Sequence, residues 1–256
     1  MNKPNLYNFF EFIKNKTGKV LEKDEDWVNL KFQYSPDKLT EKDLEKAATM
    51  DLRFNKNLPQ GFPNGATIKN VSLSGDNITA IPASLSGIET LNIYSTPNLT
   101  SIPPLQVNTL QLYKCEISEI PENTEVDFLF LDTVSLQQLP RLRKQSRLLA
   151  LKNLSIDSLT GINARTVVLE GGLPNLKQLP ENFSCEMSLH IRKDTAITEL
   201  PKGLNVGWDL TLECNPPFDT LPDDLQVENN IIVNKMPTNY PEHLKAKIKV
   251  KEKDKN

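Results

Sequence analysis

The sequence predicts a solenoid: a curved parallel β-sheet with an extended, helix-poor convex side and a small α/β N-terminal cap. Three observations predict it. An aliphatic-Pro pair recurs at Leu58-Pro59, Ile81-Pro82, Ile102-Pro103, Ile120-Pro121, Leu139-Pro140, Leu179-Pro180, Leu200-Pro201 and Leu221-Pro222. Leu159-Thr160 fills the gap, Tyr240-Pro241 extends the series, and successive spacings run from 18 to 23 residues. A second ladder of aliphatic-x-aliphatic triplets precedes most of these by about eight to ten residues, from Val71/Leu73 through Leu91/Ile93, Leu110/Leu112, Leu129/Leu131 and Leu149/Leu151 to Val167/Leu169, Leu189/Ile191, Leu210/Leu212, Ile231/Val233 and Ile248/Val250. Finally, proline outnumbers glycine, 18 to 10, and half of the prolines fall in register. A fixed period near 20 is the mark of stacked repeats.

Each triplet reads as a short strand with two side chains on one face. The apolar residue about five positions later (Ile78, Leu99, Ile117, Leu136, Ile156, Leu176, Ile197) turns back into the same interior. One unit cannot dry that face; stacking buries it as a column and pairs the strands in parallel. A period of about 20 leaves too few residues for a returning helix, and proline, lacking an N–H and fixing φ, makes the outer segment extended. The repeats are expected over residues 50–251, as about ten units.

The unit resembles a short leucine-rich repeat, of the Leu-Pro type found in bacterial and bacteriophage proteins. Ile197-Thr-Glu-Leu-Pro-Lys-Gly-Leu-Asn-Val-Gly-Trp-Asp-Leu-Thr-Leu212 is most similar to that pattern. The resemblance covers roughly residues 50–250 and implies the fold rather than an activity. One departure stands out. The asparagine that follows the strand in that family is clear only at Asn215, and Asp76, Thr96, Cys115, Val134, Leu154, Gly172 and Asp194 take the equivalent places. The turns must therefore satisfy their backbone groups by other means.

A solenoid needs its ends covered. Leu6, Phe9, Phe10 and Ile13 have helical spacing, Trp27–Phe32 alternates like a strand, and Thr40-Glu-Lys-Asp43 resembles a capping box. Residues 1–49 are therefore expected to form an α/β cap, the alternative being a separate effector domain. At the other end Lys245, Lys247, Lys249 and Lys251 alternate with Ala246, Ile248 and Val250, as in a charged edge strand that deters pairing. Residues 252–256 are expected to form a frayed tail.

Composition excludes several classes. With 30 bases against 33 acids the chain is neither a uniformly basic nucleic-acid binder nor an acidic disordered segment. Asn8, Glu11 and Lys14 interrupt the N-terminal apolar run that a secretory signal requires, and no window approaches a membrane span of about 18 apolar residues. Three isolated cysteines fit a reducing compartment. The expected location is cytoplasmic, or host cytoplasm if the chain is virus-encoded.

The ladder assigns outward residues by alternation. At the ends of the sheet these are polar, as in Asn70/Ser72/Ser74, Ser188/His190/Arg192 and Asp209/Thr211/Glu213. In the middle they are apolar or aromatic: Tyr94, Tyr113, Phe128, Phe130, Leu148, Ala150 and Val168. An apolar patch with a polar rim reads as a protein-binding surface. Tyr94, Tyr113, Phe128, Phe130, Leu148 and Val168, with Lys152 and Arg192 at its margin, are the candidate partner-binding residues. In Phe128-Leu-Phe-Leu131 either pair has the chemistry to point inward, so the register there stays open.

The alternative surface is Arg141-Leu-Arg-Lys-Gln-Ser-Arg147, whose Arg141, Arg143, Lys144 and Arg147 suit an acidic partner or a nucleic-acid backbone, joined by the C-terminal lysine row. No catalytic set assembles. His190 and His243 lie about two and a half repeats apart, Cys115 and Cys185 read as buried apolar groups, and Cys214, beside outward Glu213, reads as the most exposed thiol. Gly171-Gly172 lacks the lysine of a phosphate loop. No cofactor or metal is expected.

The expected function is a non-enzymatic platform for a protein partner, its oligomeric state left open with a monomer as the default. By analogy with the repeat's origin it would be an inhibitor or counter-defence factor. Similar repeats also occur in bacterial effector ubiquitin ligases, beside a catalytic domain that is not expected here, so a second alternative is the substrate-recognition part of such a ligase.

Overall fold

A computed structural model describes residues 31–32, 51–54, 57, 69–142, 144–193, 195–214 and 216–251. It is a parallel β-solenoid of about nine turns with almost no helix among these residues. The expected N-terminal cap and the tail at 252–256 lie outside the described residues, apart from the dipeptide Lys31–Phe32. The chain divides into two compact units, residues 1–126 and 127–256.

In the first unit β1 (Lys31–Phe32), β2 (Asp51–Phe54), β3 (Asn70–Ser74), β4 (Thr90–Thr96) and β5 (Gln106–Cys115) pair in chain order, all parallel. The register repeats without slippage: Val71 opposes Leu91, which opposes Leu110, and Leu73, Ile93 and Leu112 follow two residues on. All six are buried. Ile78, Leu99 and Ile117 close the same interior, as their spacing predicts. Fully burying a side chain of this kind contributes about 1.5–3 kcal/mol, and no single turn could dry these on its own.

The second unit opens within β6 (Glu125–Val134) and continues through β7 (Ser146–Lys152) and β8 (Ala164–Glu170). Its outer segments contain the dipeptide strands β9 (Ser184–Cys185), β11 (Asn205–Val206) and β13 (Gln226–Val227), which alternate with β10 (Leu189–Lys193), β12 (Leu210–Cys214) and β14 (Ile231–Val233). Strands β6, β7, β8, β10, β12, β14 and β15 (Ile248–Val250) follow one another in the main sheet, all parallel. Strands β9, β11 and β13 form a second, three-stranded parallel sheet. The three positions between the two sheets (186–188, 207–209 and 228–230) keep the same 21-residue offset.

The phenylalanine register is now fixed. Leu129 and Leu131 are buried while Phe128 and Phe130 are half-buried, so the phenylalanines take the outward positions.

Strands β3 to β8 and β10 end at or next to a residue in the left-handed region: Gly75, Ser95, Lys114, Thr133, Asn153, Gly171 and Lys193, with φ from 50° to 103°. Each stands two places after the last inward aliphatic of its strand, where the chain must turn to bring the next apolar residue inside. Asparagines and thiols satisfy the backbone here in place of a continuous ladder. Asn98, Asn175 and Asn234 donate from Nδ2 to the carbonyls of Asp76, Ser155 and Cys214, at 2.8, 3.0 and 2.7 Å. Cys115 and Cys214 donate from Sγ to the carbonyls of Ile93 and Ile191, at 3.4 and 3.3 Å.

Several expectations are corrected. Ser72, Ser74, Ser188 and Thr211 occupy outward positions yet are buried, because small side chains in a row of larger ones are covered by their neighbours. Asn92 donates from Nδ2 to Ser72 Oγ at 3.2 Å, and His190 Nδ1 lies 2.9 Å from Thr211 Oγ1. Leu139 is only half-buried, unlike Ile81, Ile102, Ile120, Leu179, Leu200 and Leu221, and borders a gap with about 10 Å³ of room for water beside Leu129, Leu142 and Ile162. The lysine row is not one strand. Residues Glu242–Lys247 form a 3₁₀ helix anchored by buried Leu244, and only Ile248–Val250 are extended. Inward-facing Val250 remains 49% exposed.

Candidate binding surface

On the outward face of the second unit, cross-strand registration assembles two apolar rows. Phe128 stands beside Leu148, and Phe130 beside Ala150, which stands beside Val168. Adjacent parallel strands are about 4.8 Å apart, so these side chains touch along each row. All five are half-buried: they lean on each other while their outer surfaces stay open. Beneath them, Leu129, Leu131, Leu149, Leu151, Val167 and Leu169 are buried and fix the strands in place. The Phe130 row continues through His190 and Thr211 to Ile232.

Charges border both sides. Towards the strand ends, Lys152 Nζ lies 3.5 Å from Asp132 Oδ2, and Asn153 donates to Asp132 Oδ1 at 2.8 Å. Glu170 pairs with Lys193, Arg192 Nε lies 4.0 Å from Glu213 Oε2, and Lys251 Nζ lies 3.1 Å from Glu213 Oε1. The hydrogen bond from Lys193, against some burial, holds the Glu170 carboxyl below its ordinary range. Towards the strand starts, Asp127 takes both Lys144 Nζ at 3.0 Å and Arg147 Nε at 3.5 Å.

The first unit carries its own, more polar face. Tyr94 opposes Tyr113, and Asn92 opposes Gln111. Tyr113 is 41% exposed, with the Lys114 ammonium 5.0 Å from its ring centroid.

Of the predicted partner-binding residues, Phe128, Phe130, Leu148 and Val168 thus come together in the second unit, with Lys152 and Arg192 in ion pairs at their border. Tyr94 and Tyr113 come together in the first. The alternative basic segment is partly neutralised, since Lys144 and Arg147 share Asp127, while Arg141 is exposed and lays its side chain over Gly161. Arg143 lies outside the described residues.

The expectation of an exposed Cys214 is overturned. It is 2% exposed, because the sulfur turns in beneath the Ile191 carbonyl instead of following Glu213 outward. Burial pushes its pKa up to about 11 and that of Cys185 up to about 12, and raises that of Cys115. A thiol held neutral is a poor nucleophile. His190 is shifted down, first by burial and then by Arg192, against the opposing pull of Asp209 and Glu213. Among the described residues no cluster of three His, Cys, Asp or Glu side chains is placed to hold a metal ion. No helix of the described residues is long and apolar enough to cross a membrane.

Reasoning from the ladders alone missed the corner between the two sheets, where Met187 and Trp208 are exposed. Their 21-residue spacing was the available signal, but it falls between the strands.

The class this architecture defines is the parallel β-solenoid. No family model, curated protein or solved structure matches the chain.

Proposed function

We propose that the chain is a non-enzymatic platform that binds a partner protein through the outward face of its main sheet. One observation carries this reading: Phe128, Phe130, Leu148, Ala150 and Val168 stand in register, half-open to solvent, over a buried aliphatic layer that holds them rigidly. Anchors ordered before association lose little entropy on binding, and aromatic anchors within a polar rim dominate interface energetics. The tyrosine pair of the first unit offers a second, more polar contact. The finer reading is a leucine-rich repeat of the Leu-Pro type, with residues 1–49 as its cap. It would act in the cytoplasm as an inhibitor, bacterial or phage in style, by covering a surface of its target.

The test is affinity purification from the source cell at two salt concentrations, with wild type and Phe128→Ala/Phe130→Ala compared. The expected result is a salt-tolerant partner that the double variant loses while its Tm falls by less than about 4 °C. Undiminished capture by the variant would sink the reading, as would a collapse in Tm. Loss of the partner in salt, combined with dependence on Arg141 and Lys144, would favour the basic segment.

A further inference from the structure

Residues 185–189, 206–210 and 227–231 run in step through the corner between the two sheets. Gly207 donates its N–H to Cys185 O at 3.0 Å and Glu228 donates to Val206 O at 3.0 Å; one residue on, Asn229 donates to Trp208 O at 3.0 Å. Met187 donates back to Arg165 O at 2.8 Å. The corner therefore stacks Arg165, Met187, Trp208 and Asn229 on successive turns, with Glu186, Gly207 and Glu228 alongside.

Two properties set this ridge apart. Trp208 is 50% exposed and Met187 37% exposed, although tryptophan and methionine normally seek the interior. Gly207, next to Trp208, permits the close stacking of this turn on the one before, since a Cβ there would lie 2.2 Å from the Glu186 carbonyl oxygen. The second property is charge. Glu186 is held by Arg165 at 3.2 Å and by Gln145 at 2.9 Å. Asp209 Oδ1 accepts from Asn229 and Asn230 at 2.9 to 3.1 Å. Glu228 is exposed and forms no ion pair with another described residue. The ridge is an open indole and a thioether, with Glu186 on one flank paired to Arg165 and exposed Glu228 on the other.

We propose that this ridge docks a cationic, extended segment of a partner protein, with a Lys or Arg side chain seated on the Trp208 indole and facing Glu228. A cation over the electron-rich indole face is attracted by it, and the exposed Glu228 carboxylate adds to the attraction. The soft Met187 side chain accommodates the apolar stems of such residues. This surface shares no residue with the Phe128–Phe130 rows and stands or falls independently of them.

The probes are a heptapeptide alternating arginine with leucine and its counterpart alternating glutamate with leucine, titrated into the full chain. The readout is the indole N–H resonance of Trp208, assigned with Trp208→Phe, since Trp27 is the chain's other tryptophan. The arginine peptide should shift that resonance saturably and bind at least about tenfold more tightly than the glutamate peptide. Trp208→Ala and Glu228→Lys should each weaken it several-fold, and Phe130→Ala should leave it unchanged. Glu228→Lys alters only an exposed side chain, so it keeps the test valid should Trp208→Ala fail to fold. Equal binding of both peptides overturns the proposal, as does unchanged affinity in both variants. So does loss of binding in Phe130→Ala alone, self-association of the free chain through Trp208 without any peptide response, or a stronger response to duplex DNA than to the arginine peptide.

Discussion

Asn153 occupies the space in front of Gly172. A Cβ on Gly172 would lie 2.1 Å from Asn153 Oδ1 and 2.9 Å from its Cα, and Gly172 itself has φ of 59°. The side-chain oxygen can swing away, but the Cα cannot. Neighbouring Gly171 has a similar φ of 53°, yet a Cβ there would meet only Lys193 Cβ at 3.7 Å. Gly171→Ala should therefore cost about 1–2 kcal/mol, the price of a left-handed alanine. Gly172→Ala should cost clearly more, since backbone must also move. Urea denaturation of the two variants checks the order, and equal losses would refute it.

Thr133 adopts φ of 55°, a conformation that β-branched residues avoid, at the strand-end position where Gly75 and Gly171 also stand. Thr133→Gly should raise stability by about 1 kcal/mol after the extra entropy of the unfolded glycine chain is deducted. The gain is reduced by loss of the hydroxyl donation to Asp132 Oδ1 at 2.9 Å. Thr133→Ala loses that contact without relieving the backbone and should not stabilise. Thermal melts of both variants separate the outcomes.

Cys185 and Cys214 should resist alkylation by iodoacetamide at pH 8 in the native chain and react on unfolding, as mass spectrometry would detect. Their folded pKa values, about 12 and about 11, lie above the ordinary thiol value of 9.0. Folding therefore favours the neutral form, and this contribution is complete below pH 9 and fades as pH rises from 9 towards 11 and 12. Each thiol should remove up to about 1.4 kcal/mol per pH unit in that window. Cys185→Ala/Cys214→Ala should flatten the alkaline decline in stability.

The core was legible because its signal is periodic. Ile78, Leu99, Ile117, Leu136, Ile156, Leu176 and Ile197 are all buried, as the 20-residue period requires. Phe128-Leu-Phe-Leu131 was ambiguous because both alternating sets are apolar; only packing against Leu149 and Leu151 decides which pair goes in. Alternation gave direction but not depth. Thr211 points outward and is nonetheless covered, because the size of its cross-strand neighbour His190 enters only through the register. Cys214 was misplaced for a different reason: its side was taken from neighbouring Glu213, whereas the two-residue rhythm of Leu210 and Leu212 runs on through the strand and turns it inward. Trp208 lay outside the rhythm altogether, at a corner where neither strand nor turn rules assign a face.

The dipeptide strands Ser184–Cys185, Asn205–Val206 and Gln226–Val227 give three successive turns a second set of cross-turn hydrogen bonds. Turns elsewhere in the second unit must be parted along one seam; these must be parted along two at once. Opening that spreads inward from either side should stall there, which leaves the stretch from 184 to 233 as the last refuge of slowly exchanging amides. Both Met187 and Trp208 sit within that stretch, so the exposed ridge is mounted on the part of the unit least able to yield.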